Sequence, residues 1–146
     1  MRSVEQSQDF QIARRVASLV APGWRLLATS QLEPNALAID FRKCSIELGE
    51  NSEPDVLLAS SMYALGHIRL KGSLRFRELF GFDFHTHSDD KKLIRKLATQ
   101  GALADRHAVD WARRALAAFW PIRDCSLALR VYAWQKQDWH QYFSTT

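Results

Sequence analysis

Residues 52–72 read SEPDVLLASSMYALGHIRLKG, and this stretch decides the predicted fold. Its apolar side chains cover most of the circumference of a helix, a pattern typical of helices that are surrounded by protein. Pro54 suits the first helical turn, where its missing N–H costs nothing. Ser52 is a suitable N-cap, and Gly72 is suited to end the helix. The stretch therefore predicts a buried central helix over residues 52–70.

The segment before this helix predicts a further helix and a sheet. An amphipathic helix is expected over residues 9–20. Strand-like runs bounded by turn residues follow at positions 24–29, 36–41 and 44–48. We expect these runs to form a three-stranded antiparallel sheet that packs on the central helix.

The segment after it predicts another long helix and short terminal elements. The long helix starts near residues 88–90 and runs to Trp120, where Pro121 stops it, with a break or bend near Gly101. Residues 125–134 suit either a strand or a helix, and residues 135–146 form a polar tail with aromatic side chains. The expected fold class is α+β, with an N-terminal helix, the sheet, the buried central helix, the second long helix and short C-terminal elements.

Length and composition indicate one domain and argue against a membrane protein. A chain of 146 residues fits a single domain, here 1–146, and 47% hydrophobic residues can fill its core. No apolar run approaches the roughly 20 residues that a membrane span requires, and the N-terminus lacks an apolar signal segment. Cys44 and Cys125 lie far apart in the sequence, so we expect reduced thiols in a cytoplasmic protein.

One segment of the central helix, residues 63–70, reads YALGHIRL. It resembles the second half of the His-Glu-x-x-His motif, often HELGH, of small zinc metallopeptidases of the ImmA/IrrE kind, the minigluzincins. In that motif two His at i and i+4 share one zinc ion on one helix face, and the Glu is the general base. Tyr63 stands here at the first His position and Ala64 at the Glu position. Of the motif's ligands and base, only His67 is kept.

A second segment, residues 105–112, reads DRHAVDWA and is similar to the helix that supplies the third zinc ligand in that family. Asp110 matches the family's Asp, whereas Arg106 falls at the position of the ligand Glu. The resemblance covers roughly residues 9–120, where the element order also agrees. It implies a metallopeptidase-like scaffold that is a pseudoenzyme rather than an active peptidase. Such a domain would use no cofactor and would serve as a binding or regulatory module for a protein partner.

A metal-dependent hydrolase with a rebuilt site is one alternative. His107 and Asp110 lie at i and i+3 on one helical face and would join His67 as ligands. His85 and His87 would lie on one face of an extended segment and form an alternative cluster. Zinc is the metal that such sites would hold. A single His or a His–Asp pair is more often a packed, hydrogen-bonded polar group, so the structural interpretation is preferred.

A basic module of a mobile element that associates with nucleic acid is the other alternative. The net charge of +4 permits an anionic partner. Two basic runs would contact phosphates, namely Arg69, Lys71, Arg75 and Arg77, and Lys91, Lys92, Arg95 and Lys96. Charge runs are usually solvated faces, and that interpretation is preferred here too.

Overall fold

The predicted α+β architecture is confirmed in the computed structural model of the chain, which describes residues 4–71 and 89–144. In chain order the elements are a 3-10 turn at Val4–Gln6, α1 (Gln8–Val20), β1 (Arg25–Thr29), β2 (Leu37–Asp40), β3 (Ser45–Gly49), α2 (Pro54–Lys71), α3 (Lys91–Phe119), α4 (Ser126–Arg130) and α5 (Lys136–Phe143). Among the helices of these described ranges, none is long and apolar enough to cross a membrane.

Helix α2 is the buried centre of the fold, as its sequence predicts. The side chains of Leu58, Met62 and Leu65 have no exposed surface, and the helix packs mainly against α3 and α1. Because α2 is apolar on nearly every side, it can fill the space between these helices and the sheet.

The start of α2 differs from the prediction that Ser52 is its N-cap. The helix begins at Pro54, and the Ser52 hydroxyl donates instead to the carbonyl of Gly49 at 2.6 Å. The same hydroxyl accepts from the backbone N–H of Asn35 at 2.9 Å. Asn35 Oδ1 in turn accepts from the backbone N–H of Glu53 at 2.9 Å. These bonds join the β1–β2 loop to the start of the helix, so Ser52 anchors a loop rather than capping the helix.

The sheet is mixed, so the prediction of an antiparallel sheet is wrong. Its strand order is β1-β3-β2, with β3 parallel to β1 and antiparallel to β2. The loop of residues 30–36 carries the chain past the position of β3 to the far edge. Strand β3, with Ile46 and Leu48 in the core, thereby takes the central position, where strands cover both of its edges.

The outer edge of β1 is covered by two side chains from the N-terminal region. The carboxylate of Glu5 accepts from the backbone N–H of Ala28 at 2.9 Å, and Arg14 Nε donates to the carbonyl of Leu26 at 3.1 Å. Arg14 and Glu5 also form an ion pair at 3.0 Å. Since these are the backbone groups that point away from β3, a further strand cannot pair there without displacing the two side chains.

Helix α3 is one uninterrupted helix, so the predicted break near Gly101 does not occur. Gly101 instead permits a close approach of α5: a Cβ at this position would lie 2.6 Å from Cδ2 of Trp139. Residues 125–134, for which the sequence left strand and helix open, contain α4, and the terminal tail contains α5. The side chains of Trp139 and Tyr142 therefore pack onto α3 rather than extending into solvent.

Candidate functional site

The site lies where α2 and α3 touch backbone to backbone. A Cβ at Gly66 would lie 2.7 Å from the carbonyl oxygen of Ala108 and 2.9 Å from its Cα. Glycine is therefore the residue that this helix contact accommodates. The close contact brings the residue that follows Gly66, His67, within reach of Asp105, about one helical turn before Ala108 on α3.

Three polar side chains converge at this contact, and we refer to Tyr63, His67 and Asp105 as the polar cluster. The Tyr63 hydroxyl donates a hydrogen bond to Asp105 Oδ1, and His67 Nε2 lies 3.4 Å from the same oxygen. The other carboxylate oxygen, Oδ2, accepts from the backbone N–H of Trp134 at 2.7 Å. Asp105 has no exposed surface, so these groups compensate for the burial of its carboxylate.

Burial and the charge of Asp105 both favour the protonated form of the Tyr63 phenol. Burial raises the pKa of the Tyr63 phenol well above its usual value near 10, and the Asp105 carboxylate raises this pKa further. At neutral pH the phenol therefore keeps its proton and acts as a hydrogen-bond donor. Its ring meets the His67 ring edge to face at 4.7 Å and stacks on the Tyr132 ring at 4.3 Å.

The polar cluster does not fit the zinc site that the resemblance implies. A protonated phenol is a poor substitute for the imidazole that the motif places at Tyr63. Ala64, at the position of the general base, carries no proton acceptor and is fully buried. Across residues 4–71 and 89–144, no three His, Cys, Asp or Glu side chains lie together as a group of metal ligands.

Asp105 lies one position before Arg106, the residue that the resemblance aligns with the third zinc ligand. The predicted position of the third ligand, Arg106, is exposed, whereas Asp105 is buried and faces α2. A signal for it exists in the sequence. Asp105 lies on the apolar face of α3, between Gly101 and Ala108, and a carboxylate in such a stripe needs polar partners.

The other predicted site residues do not join this cluster. His107 is half-buried, and Asp110 is exposed and pairs with Arg113 at 3.2 Å. The predicted ligand set of His67, His107 and Asp110 is thus not brought together, since no such group occurs in the described part of the chain. His85 and His87 lie outside the described residues, so the hydrolase with a rebuilt site stays a prediction.

The basic runs contribute exposed side chains where the structure describes them. Arg69 near the end of α2 is exposed, and so are Lys91, Lys92, Arg95 and Lys96 in the first turns of α3. This placement agrees with a solvated face. Association with nucleic acid stays a prediction.

A pocket of about 210 Å³ opens beside the polar cluster. One wall is formed by Leu37 and Ile39 of β2 together with Phe41, which follows the strand, and another is formed by Trp139 and Tyr142 of α5. Tyr63 and His67 of α2 also line the pocket. Leu37 and Ile39 alternate along β2, so their side chains lie on one face of the sheet.

The outer edge of β2 runs along this pocket and differs from the outer edge of β1. The backbone N–H of Gly49 donates to the carbonyl of Ala36 at 3.1 Å. In an antiparallel ladder of this register, the backbone groups of Leu37 and Ile39 therefore point away from β3. Within the described ranges, no hydrogen bond reaches these outward groups.

Comparison of the chain with protein-family models, with curated proteins and with solved structures finds no match. The resemblance to minigluzincins therefore rests on the segment YALGHIRL, on residues 105–112 and on the element order.

Proposed function

We propose that this chain is a metallopeptidase-like domain that does not cleave peptides and that binds an extended segment of a protein partner along the outer edge of β2. The observation that carries the proposal is the hydrogen bond from Tyr63 to Asp105. It joins the residue at the first His position of the motif to a carboxylate that lies 3.4 Å from His67.

The absence of cleavage follows from the chemistry of the residues at the expected catalytic positions. Peptide hydrolysis by this class needs an activated water and a nearby group that takes its proton. Ala64 has no group that can take a proton. The pKa of the Tyr63 phenol is raised, so this phenol is already protonated at neutral pH and cannot take a proton either. The carboxylate of Asp105 already accepts hydrogen bonds at both oxygens.

Binding of an extended segment follows from the contrast between the two edges of the sheet. The side chains of Glu5 and Arg14 occupy the edge of β1, whereas β2 presents outward N–H and C=O groups at Leu37 and Ile39. An added strand gains main-chain hydrogen bonds at such an edge, and pockets beside it select alternate side chains. The pocket lies on the face to which Leu37 and Ile39 contribute.

A cleavage assay tests the first half of the proposal. Purified protein with added zinc is incubated with casein and with peptide libraries, beside the His67→Ala variant. We expect no cleavage by either protein. Reproducible cleavage that disappears in His67→Ala would overturn the proposal and favour an active metal site.

A backbone-modified peptide tests the second half. A short β-prone peptide is titrated into isotopically labelled protein, beside the same peptide with N-methyl groups on alternate amides. We expect only the unmodified peptide to shift the amide resonances of Leu37 and Ile39, because N-methylation removes the donors that strand pairing needs. Equal binding of the two peptides would show that the edge of β2 does not pair with them.

A further inference from the structure

The residues that line the pocket beside β2 favour one kind of side chain as its occupant. Among the described residues that line it there is no Asp, Glu, Lys or Arg, and most of these residues carry rings. Tyr63, Trp139 and Tyr142 are aromatic, and His67 presents an imidazole that is only 4% exposed. A charged occupant would lose its hydration there without gaining an ionic partner from these described residues. The lining therefore favours an uncharged occupant with aromatic character.

The size of the pocket sets the size of the occupant. A buried protein cavity of about 150 Å³ is large enough to hold benzene. The pocket beside β2, at about 210 Å³, has room for a substituted single ring or for two fused rings. These are the dimensions of the side chains of Phe, Tyr and Trp.

The aromatic wall on α5 is held in a defined orientation. Trp139 meets the ring of Trp134 edge to face at 5.1 Å and the ring of Tyr142 at 5.6 Å. Its indole also rests on Gly101 of α3, where no Cβ fits. Rings that are fixed in this way are suited to offer edge-to-face or stacked contacts to a further ring.

We propose that the pocket selects an aromatic side chain of the extended segment that binds along β2. This inference rests on the proposed binding at the edge of β2, and it adds the chemical class of the residue that is recognised. The bound ring lies between Leu37 and Ile39 on one side and Trp139 and Tyr142 on the other, above Tyr63 and His67.

Peptide titrations test the selection directly. Blocked β-prone peptides that differ only in a central Trp, Phe, Leu or Lys are titrated into the full chain, and free indole is titrated separately. We expect the Trp and Phe peptides to bind about 2- to 12-fold more tightly than the Leu peptide, as aromatic pairing gives, and the Lys peptide to bind most weakly. Free indole, which has no backbone to pair, should shift the Trp139 indole N–H resonance.

Two variants and one control identify the pocket as the source of the preference. Tyr142→Leu removes one ring from the aromatic wall, and Gly101→Ala displaces Trp139 without changing a lining residue. Both should reduce the preference for Trp over Leu, whereas Trp111→Leu, which changes a partly buried ring outside the lining, should preserve it. Thermal unfolding by circular dichroism confirms that each variant is folded.

The outcomes separate this inference from the proposed function. If the Leu peptide binds as tightly as the Trp peptide, and N-methylation still abolishes binding, the aromatic selection is wrong and strand pairing stands. If indole binds in the pocket and no peptide binds better than indole, strand pairing is wrong, and with it the selection proposed for a bound segment. If neither indole nor any peptide binds, both proposals are overturned.

Discussion

Asp105 and Trp134 lie 29 residues apart and are joined by a hydrogen bond of 2.7 Å from the Trp134 backbone N–H to Oδ2 of the carboxylate. This bond ties the loop between α4 and α5 to the polar cluster on α2 and α3. The position of α5, and with it the aromatic wall of the pocket, therefore depends on a carboxylate that does not itself line the pocket.

Replacing Asp105 should be far more damaging than replacing an exposed Asp on the same helix. Asp105→Ala removes the acceptor for the Tyr63 hydroxyl and the Trp134 N–H and should lower the free energy of unfolding by about 3–5 kcal/mol. The control Asp110→Ala loses only a surface pair with Arg113 and should change it by about 0.5 kcal/mol or less. Urea unfolding measures the change in the free energy of unfolding for both variants. Similar losses would show that the hydrogen bonds of buried Asp105 stabilise the fold no more than the surface pair of Asp110 does.

The stabilisation that Tyr63 contributes to the fold should be lost as the pH rises above about 10. The pKa of Tyr63 is raised in the folded chain, so the stabilisation is complete below the usual pKa near 10 and is lost as the pH rises towards the folded value. In that window the unfolded phenol ionises while the folded one keeps its proton. The difference in unfolding free energy between the wild type and Tyr63→Phe should therefore shrink by up to about 1.4 kcal/mol per pH unit.

Urea unfolding at a series of pH values from 7 to 11 measures this difference. At neutral pH, Tyr63→Phe should be less stable by about 1–3 kcal/mol, because Asp105 loses a donor. A difference that stays constant across the series would show that the phenol does not titrate differently in the folded chain.

The contact between α2 and α3 should not tolerate a side chain at Gly66. Gly66→Ala places a Cβ against the backbone of Ala108 and should cost about 1–3 kcal/mol through overpacking. Because the clash is with backbone atoms, adding Ala108→Gly should not restore the loss. Chemical denaturation of the single and double variants checks this, and rescue by the second change would place the clash at the Ala108 methyl group instead.

Leu65 should behave as a central core residue. Its side chain is fully buried, and Leu65→Ala should lower the free energy of unfolding by about 2–5 kcal/mol through lost transfer energy and a cavity. Leu19, 77% exposed on α1, is the matched control, for which the same change should cost about 0.5 kcal/mol or less. Comparable costs at the two positions would mean that α2 is not the centre of the core.

The three long helices α1, α2 and α3 could be predicted because the apolar pattern of a helix is local in the sequence, whereas the sequence leaves strand and helix open for α4 and does not predict α5. The order of the strands could not be predicted: alternation such as that of Ile46 and Leu48 reports which face of a strand is buried, but not which strands are neighbours. Gly101 suggested a break because glycine weakens an isolated helix, yet its missing side chain serves a contact with Trp139.

Two of the three residues of the polar cluster could be predicted from the sequence. Tyr63 and His67 were identified by the resemblance, whereas the matching of residues 105–112 to the family segment placed the third position on Arg106. The helical face of α3 would have selected Asp105 instead. The pocket could not be predicted, because Trp139 and Tyr142 reach it from the end of the chain through packing on α3.

The ion pair of Glu5 and Arg14 has a consequence for stoichiometry. A sheet with two accessible edges can add strands on both sides, and copies joined edge to edge in that way can grow into open-ended fibres. Here the two side chains fill one edge, so copies of this chain could join only through β2, and edge-to-edge growth would stop at a pair. Growth of such copies into a polymer would require Glu5 and Arg14 to leave β1.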